Sequence, residues 1–155
     1  FSYLGTYIER FDNTARILDV RHFLFLPNTM IRNDIIGETQ WEAILRSLSA
    51  YRAYMWQNQN ELSAINISNF LLFDEKMPRS LKFSLDQILN NIKLLKKNKI
   101  KDSISFNLCL SIQSKLVSRK KNYNYDFGLH NYLDRLIKSN IKLGNLIEEE
   151  FNFHR

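Results

Sequence analysis

The run Tyr7-Ile8-Glu9-Arg10-Phe11-Asp12-Asn13-Thr14-Ala15-Arg16 concentrates six polar or ionisable side chains in a segment whose other residues suit burial. At about 100° per residue, Glu9, Asn13, Arg16 and Val20 fall in one narrow sector of a helix. Asp12 and Asp19 flank Arg16 at i−4 and i+3, within reach of its guanidinium. Arg10 and Thr14 lie on the adjacent stripe. A charged helix face is most simply a solvated one, where each exposed pair contributes little. The same turns carry apolar residues on two other sides, so a central helix would desolvate the cluster and force its members to pair closely. On that second reading Glu9, Arg10, Asn13 and Arg16 form a mostly buried hydrogen-bonded network, the material of a polar ligand site.

Four further residues bear on chemistry. Arg79 and Ser80 follow Pro78, a favoured first helical residue, and would then sit in a first turn whose free N–H groups attract anions. The plainer alternative is a helix start in which Arg79 pairs with Asp74 or Glu75. His130 has Asp126 at i−4 and Asp134 at i+4, a spacing that can fix an imidazole tautomer, although a lone histidine is more often a structural hydrogen-bonder. Cys109, between Leu108 and Leu110 with no histidine beside it, reads as a buried thiol. No His-Glu-x-x-His pattern, glycine-rich phosphate loop or serine-centred nucleophile elbow is present, so the sequence calls for no metal and no cofactor.

The elements that position these residues all show a 3.6-residue period, and none alternates with period 2. Helices are expected from about Ser2 to Leu26 (ended by Pro27), from a capping box of Thr39 and Glu42 through Met55, and from Ala64 to Phe73. Three more follow: one opened by Pro78 with the stripe Leu81, Leu85, Ile88, Ile92 and Leu95, one capped by Asp102, and one from about Asp126 to Phe151. The expectation is all-α, an antiparallel bundle of five to six helices forming a single domain over residues 1–155. The 155 residues contain only four glycines and two prolines, too few turns for a sandwich or barrel. One cysteine excludes an intrachain disulfide, and no apolar run is long enough to span a membrane. The eleven Phe and seven Tyr lie mostly at core spacings and signal packing. The net charge of +6 is carried by lysine-rich helix ends such as Lys96-Lys97 and Arg119-Lys120-Lys121. Cations are favoured there without a nucleic-acid partner, which would call for Arg-rich base readers and stacking aromatics.

Leu4 through Arg10 and Asp12 through Val20 strongly resemble the opening helix of the Alpha-E family, bacterial all-helical proteins named for their Glu-Arg motif. Gln40-Trp41 with Leu45-Arg46-Ser47, Met77-Pro78-Arg79-Ser80, and Gly128-Leu129-His130 with Tyr132-Leu133 agree as well. Asn122-Tyr123-Asn124-Tyr125-Asp126 departs from the acidic pair that members carry before Gly128. Family members are about twice this length, with a related Glu-Arg helix opening each half, so the chain is expected to be the C-terminal half of a longer protein. Such a half would expose an apolar face that its sister half, or a second copy in a homodimer, would cover.

The resemblance implies a cytoplasmic accessory of a peptide-modification system, encoded with an ATP-grasp ligase and a transglutaminase-like cysteine peptidase. That role is a substrate-binding or regulatory partner without catalysis of its own. The ligand-binding candidates are Glu9, Arg10, Asn13, Arg16, Arg79, Ser80 and His130, and the ligand a peptide or amino acid. Two other classes stay open: a stand-alone enzyme of amide formation or hydrolysis using Glu9, Arg10 and His130, and a purely structural interaction module.

Overall fold

A computed structural model of the chain describes residues 1–24, 35–58, 62–96, 103–121 and 128–152. Among them are seven helices and no strand: α1 (Ser2–Leu24), α2 (Ile35–Ser47), α3 (Tyr51–Gln57), α4 (Ala64–Phe73), α5 (Leu81–Lys96), α6 (Ile104–Lys121) and α7 (Leu129–Glu150). The expected all-α class holds. The positions of Pro27, Asp102 and Asp126 lie outside the described residues.

Four of these helices make an antiparallel ring. α1 packs against α5 and α7, and α6 closes the other side against the same two. Thr14 reaches the start of α5 at Arg79 and Tyr7 meets Phe83 further along, so α1 and α5 run in opposite directions. Asp19 meets His130 while Ile8 meets Asn140, which sets α1 antiparallel to α7. Cys109 faces the Leu85 carbonyl, Phe106 lies by Lys93, and Ser105 by Glu150, so α6 opposes both α5 and α7. One end of the bundle therefore gathers the C-terminal half of α1, the starts of α5 and α7, and the last turn of α6. We call it the upper end. Phe1, Lys96, Ser103 and Glu150 mark the lower end. α4 leans on α5 and α6, and α2 and α3 pack outside it.

The core is supplied by the stripes that periodicity picks out. Leu4, Phe11, Ala15 and Leu18 are buried on α1, Leu81, Leu85, Ile88 and Ile92 on α5, and Leu129, Leu133, Leu136, Leu143 and Ile147 on α7. Removing this apolar surface from water is the main stabilising term for such a bundle. Gly144 stands where its Cβ would come 4.0 Å from Ile8 Cγ2, and Asn140 donates to the Ile8 carbonyl at 3.0 Å. A small residue and one buried amide thus let α7 approach α1 closely.

Three local expectations are corrected. The single helix expected over 39–55 is two, α2 and α3, broken at Ser49, whose φ is 53°. Ala50 N–H donates to the Leu45 carbonyl at 2.7 Å and Ser49 N–H to Arg46 at 2.9 Å, the paired bonds of a Schellman C-cap. Among the described residues this break makes the count seven, against the five to six expected. Ser49 holds a left-handed backbone that glycine adopts without strain, so Ser49→Gly should raise stability by about 1 kcal/mol in urea unfolding.

Secondly, Thr39 is not a cap: α2 already starts at Ile35, placing Thr39 and Glu42 inside the helix. Thirdly, Pro78 does not open α5. Pro78, Arg79 and Ser80 form a turn, and Ser80 is the N-cap, its Oγ accepting from Phe83 N–H at 2.9 Å. The fully buried Ser80 hydroxyl also donates to the Asp74 carbonyl. Asp74 Oδ1 in turn accepts from the N–H groups of Lys76 and Met77 at 2.8 and 2.7 Å. This Asx-type turn needs the side chain of Asp74, which explains why Pro78 precedes the helix rather than entering it.

Candidate functional site

α1 has three faces, and each carries part of the polar run. The inner face is apolar and enclosed by the ring. The flank towards α5 carries Thr14, whose hydroxyl donates to the Arg79 carbonyl at 2.8 Å. The flank towards α7 carries Asp19, whose Oδ1 lies 2.7 Å from His130 Nδ1. The outer face carries Glu9, Asn13 and Arg16, all exposed, with Val20.

The expected buried network of Glu9, Arg10, Asn13 and Arg16 is therefore not formed. The apolar residues on two sides of α1 do make it a central helix of the ring, but they satisfy α5 and α7. The third side is left to solvent. Arg16 is more than half exposed and bonds Asp12 Oδ2 through Nε at 2.6 Å, one turn back along the same helix. That hydrogen bond and the Asp12 charge raise its already high pKa, and Arg16 stays a cation. A pair so exposed contributes little to stability.

Arg10 behaves differently from its neighbour Glu9. It lies one turn from Thr14 on the α5 flank, half-buried, with its guanidinium carbon 5.3 Å from the centroid of the Tyr7 ring. Tyr7 packs against Phe83 with centroids 6.0 Å apart, so a cation and two aromatic rings follow the α1–α5 seam. Arg79 sits half-buried above this seam. It does not pair with Asp74, which holds the turn through Lys76 and Met77 and accepts from Gln57 Nε2 at 3.0 Å. Ser80, buried and committed to its cap, cannot offer its hydroxyl to a ligand without uncapping α5.

His130 starts α7 and is held by a residue 111 positions away. The expectation that Asp126 or Asp134 would hold it is corrected for Asp134, which instead bonds Lys138 Nζ at 2.7 Å. Asp126 lies outside the described residues. Gly128 precedes the helix with φ 79°, a left-handed turn that glycine accommodates and that aims the first residues of α7 at α1. Arg119, in the last turn of α6, lies with its guanidinium carbon 5.0 Å from the Tyr132 ring centroid and adds a third guanidinium to this end.

The structure thus brings Arg79, His130, Thr14 and Asp19 to the upper end of the bundle, with Arg10 one turn below on the α5 side. Arg79 and His130 occupy opposite flanks of α1. Glu9, Asn13 and Arg16 are not joined to them. Sequence spacing missed Thr14 as the link to Arg79, Asp19 as the partner of His130, and Arg119 as a neighbour. All three depend on contacts between helices far apart in the chain. Chemically, the upper end offers the guanidiniums of Arg79 and Arg119 and an imidazole, a set suited to holding a carboxylate or phosphate.

Nucleophilic chemistry finds no support at Cys109. Its side chain is fully buried, and burial, with a smaller contribution from the Asp86 charge, pushes the thiol up to about 12. Among the described residues no group of three His, Cys, Asp or Glu side chains is arranged to hold a metal ion. No helix among them is long and apolar enough to cross a membrane.

No curated protein and no solved structure matches the chain. One family model does, over residues 1–151, described as a predicted alpha-helical domain with a conserved ER motif. The chain contains that dipeptide once, at Glu9-Arg10. With a match of that extent and an all-helical fold built around the helix that bears the motif, the chain belongs to the Alpha-E family.

Proposed function

We propose that this chain is a cytoplasmic, non-catalytic accessory of a bacterial peptide-modification system. In that role it holds a peptide or amino-acid substrate for an ATP-grasp-type ligase that works beside a transglutaminase-like peptidase. The observation that carries the reading is that Arg79 and His130 lie at the same end of the bundle, on the two flanks of α1. Each is tied to α1, through Thr14 and Asp19 respectively. ATP-grasp ligases form amide bonds through an acyl-phosphate, so a partner that fixes the carboxylate or phosphate end of a substrate would serve that chemistry. Arg10 and Arg79 line the α1–α5 side as anion holders, and His130 offers a polar contact from α7. Two guanidiniums can bind such a group bidentately, with more geometric selectivity than lysines would give.

The enzyme reading has less support. Glu9 is exposed on the outer face of α1, off the flanks that meet Arg79 and His130, and Cys109 is a buried neutral thiol. An accessory must also meet its ligase. Gel filtration of the chain mixed with an ATP-grasp protein encoded beside it should give a complex that elutes ahead of either component. Separate elution at every ratio, with each protein folded, would overturn the accessory role.

A further inference from the structure

The outer face of α1 is exposed and, among the described residues, its one ion pair runs along the helix itself, from Arg16 to Asp12; its charge pattern is self-complementary. Ser2, Gly5, Glu9, Asn13, Arg16 and Val20 are all exposed. They recur at intervals of three and four, with Glu9 to Arg16 and Asn13 to Val20 each spanning one heptad, so they hold one side of the helix along its length. Set two such helices antiparallel about a two-fold axis midway between residues 12 and 13. Glu9 of each then faces Arg16 of the other, and Gly5 faces Val20. A parallel pairing would instead oppose Glu9 to Glu9 and Arg16 to Arg16.

Size follows the same symmetry. Val20 is 55% exposed, an apolar side chain projecting from the stripe, and a Cβ added at Gly5 would meet nothing within 4 Å. Arg16 is already oriented by its 2.6 Å bond from Nε to Asp12, so less side-chain freedom is lost when its outer nitrogens are engaged.

We propose that this stripe is the contact between two copies of the chain, α1 against α1 in antiparallel, with Glu9 of one copy paired to Arg16 of the other. The interface is isologous and closes at two. It goes beyond the accessory role and leaves that role's residues available. Arg10, Arg79 and His130 lie on the flanks facing α5 and α7, off the stripe. The association is weak and salt-sensitive, because its ion pairs lie at a helix surface.

Sedimentation velocity from about 10 μM to 1 mM, the range of weak complexes, tests it with wild type, two variants and their mixture. Wild type should shift from monomer towards dimer as concentration rises, and less so in high salt. Glu9→Arg and Arg16→Glu should each self-associate roughly tenfold or more weakly, since each turns both cross-pairs repulsive. An equimolar mixture of the two variants should regain dimer. There the arginine introduced in one variant meets the glutamate introduced in the other, and the unaltered Glu9 and Arg16 pair at the second contact. Circular dichroism on each variant checks that the helices persist, as expected for exposed positions. A wild type that stays monomeric throughout, variants that associate as wild type does, or a mixture that remains monomeric would each overturn the proposal. A face that only meets solvent gives the first of these results. A contact elsewhere on the molecule gives the second.

Discussion

Phe11→Ala should destabilise the protein by about 3–5 kcal/mol, whereas Glu9→Ala, two residues earlier, should stay within about 0.5 kcal/mol. Phe11 is fully buried at the centre of the inner face of α1, in the middle of the ring of α5, α6 and α7. Its removal leaves a cavity that rigid helices on several sides cannot close, so the loss exceeds simple transfer of the ring to water. For a domain of this size the midpoint of thermal unfolding should fall by roughly 10 °C. Since a domain's whole stability is about 5–15 kcal/mol, Phe11→Ala is best handled at low temperature. Glu9 projects from the opposite face and touches none of that core. The pair of measurements therefore reads the rotational setting of α1. Comparable losses at the two positions would mean that the helix is turned and the Glu-Arg motif lies inside.

The second large effect belongs to the lower end, where Glu150 closes the start of α6. Its carboxylate accepts from the N–H groups of Ile104 and Ser105 at 3.1 and 3.3 Å, from the Ser103 hydroxyl at 3.1 Å, and from the Ser105 hydroxyl. Lys96 Nζ approaches at 3.4 Å and lies 4.7 Å from the centroid of the Phe151 ring. The four N–H groups that open a helix have no partner within it, and here a side chain from the end of α7 supplies one for two of them. Ser103 caps the same turn, accepting from Phe106 N–H at 3.2 Å. Glu150→Ala removes the acceptor while Ser103 and Ser105 stay buried. A cost of about 2–3 kcal/mol in urea unfolding is expected, the range of a lost charged hydrogen-bond acceptor together with a helix cap.

The same contact gives a pH dependence with a definite sign. Burial alone would raise the Glu150 pKa. The Ser105 hydroxyl and N–H, the Ser103 hydroxyl and the Lys96 charge outweigh it and hold the carboxyl below its ordinary value of 4.5. A carboxyl with a depressed folded pKa adds stability that is fully present above the unfolded value and is lost as pH falls through the folded one. The stability gap between wild type and Glu150→Gln should therefore be constant near neutrality and narrow as the pH is lowered below 4.5. A gap that is unchanged at low pH would show that the charge of Glu150 contributes nothing there.

What the sequence made legible follows from what local spacing can encode. The stripes Leu81-Leu85-Ile88-Ile92 and Leu129-Leu133-Leu136 are periodic, and the structure buries all of them. The Glu-Arg helix and its family were readable for the same reason, as contiguous patterns. The setting of α1 was not. Apolar residues on two flanks imply neighbours on two sides, and nothing in the spacing says whether a third neighbour covers Glu9, Asn13 and Arg16. Turn chemistry at Pro78 is not legible from the proline alone, because Asp74, four residues earlier, organises a turn that makes Ser80 the cap. The Schellman break at Ser49 was hidden because a serine occupies a position usually marked by glycine. The clasps between His130 and Asp19 and between Glu150 and Ser103 join residues far apart in sequence, where helical spacing carries no signal.

The proposed function requires the upper end of the bundle to hold the anionic end of a peptide-like substrate through Arg79, with Arg10 on the same side. Isothermal calorimetry with a substrate peptide of the partner ligase, in forms with a free and an amidated C-terminal carboxyl, tests it most directly. The expected result is binding of the free acid that amidation abolishes and that Arg79→Ala weakens by more than roughly tenfold, about 1.4 kcal/mol. Affinity that is the same for both peptides, or unchanged in Arg79→Ala, would contradict it and leave Arg79 as a residue of the turn that starts α5.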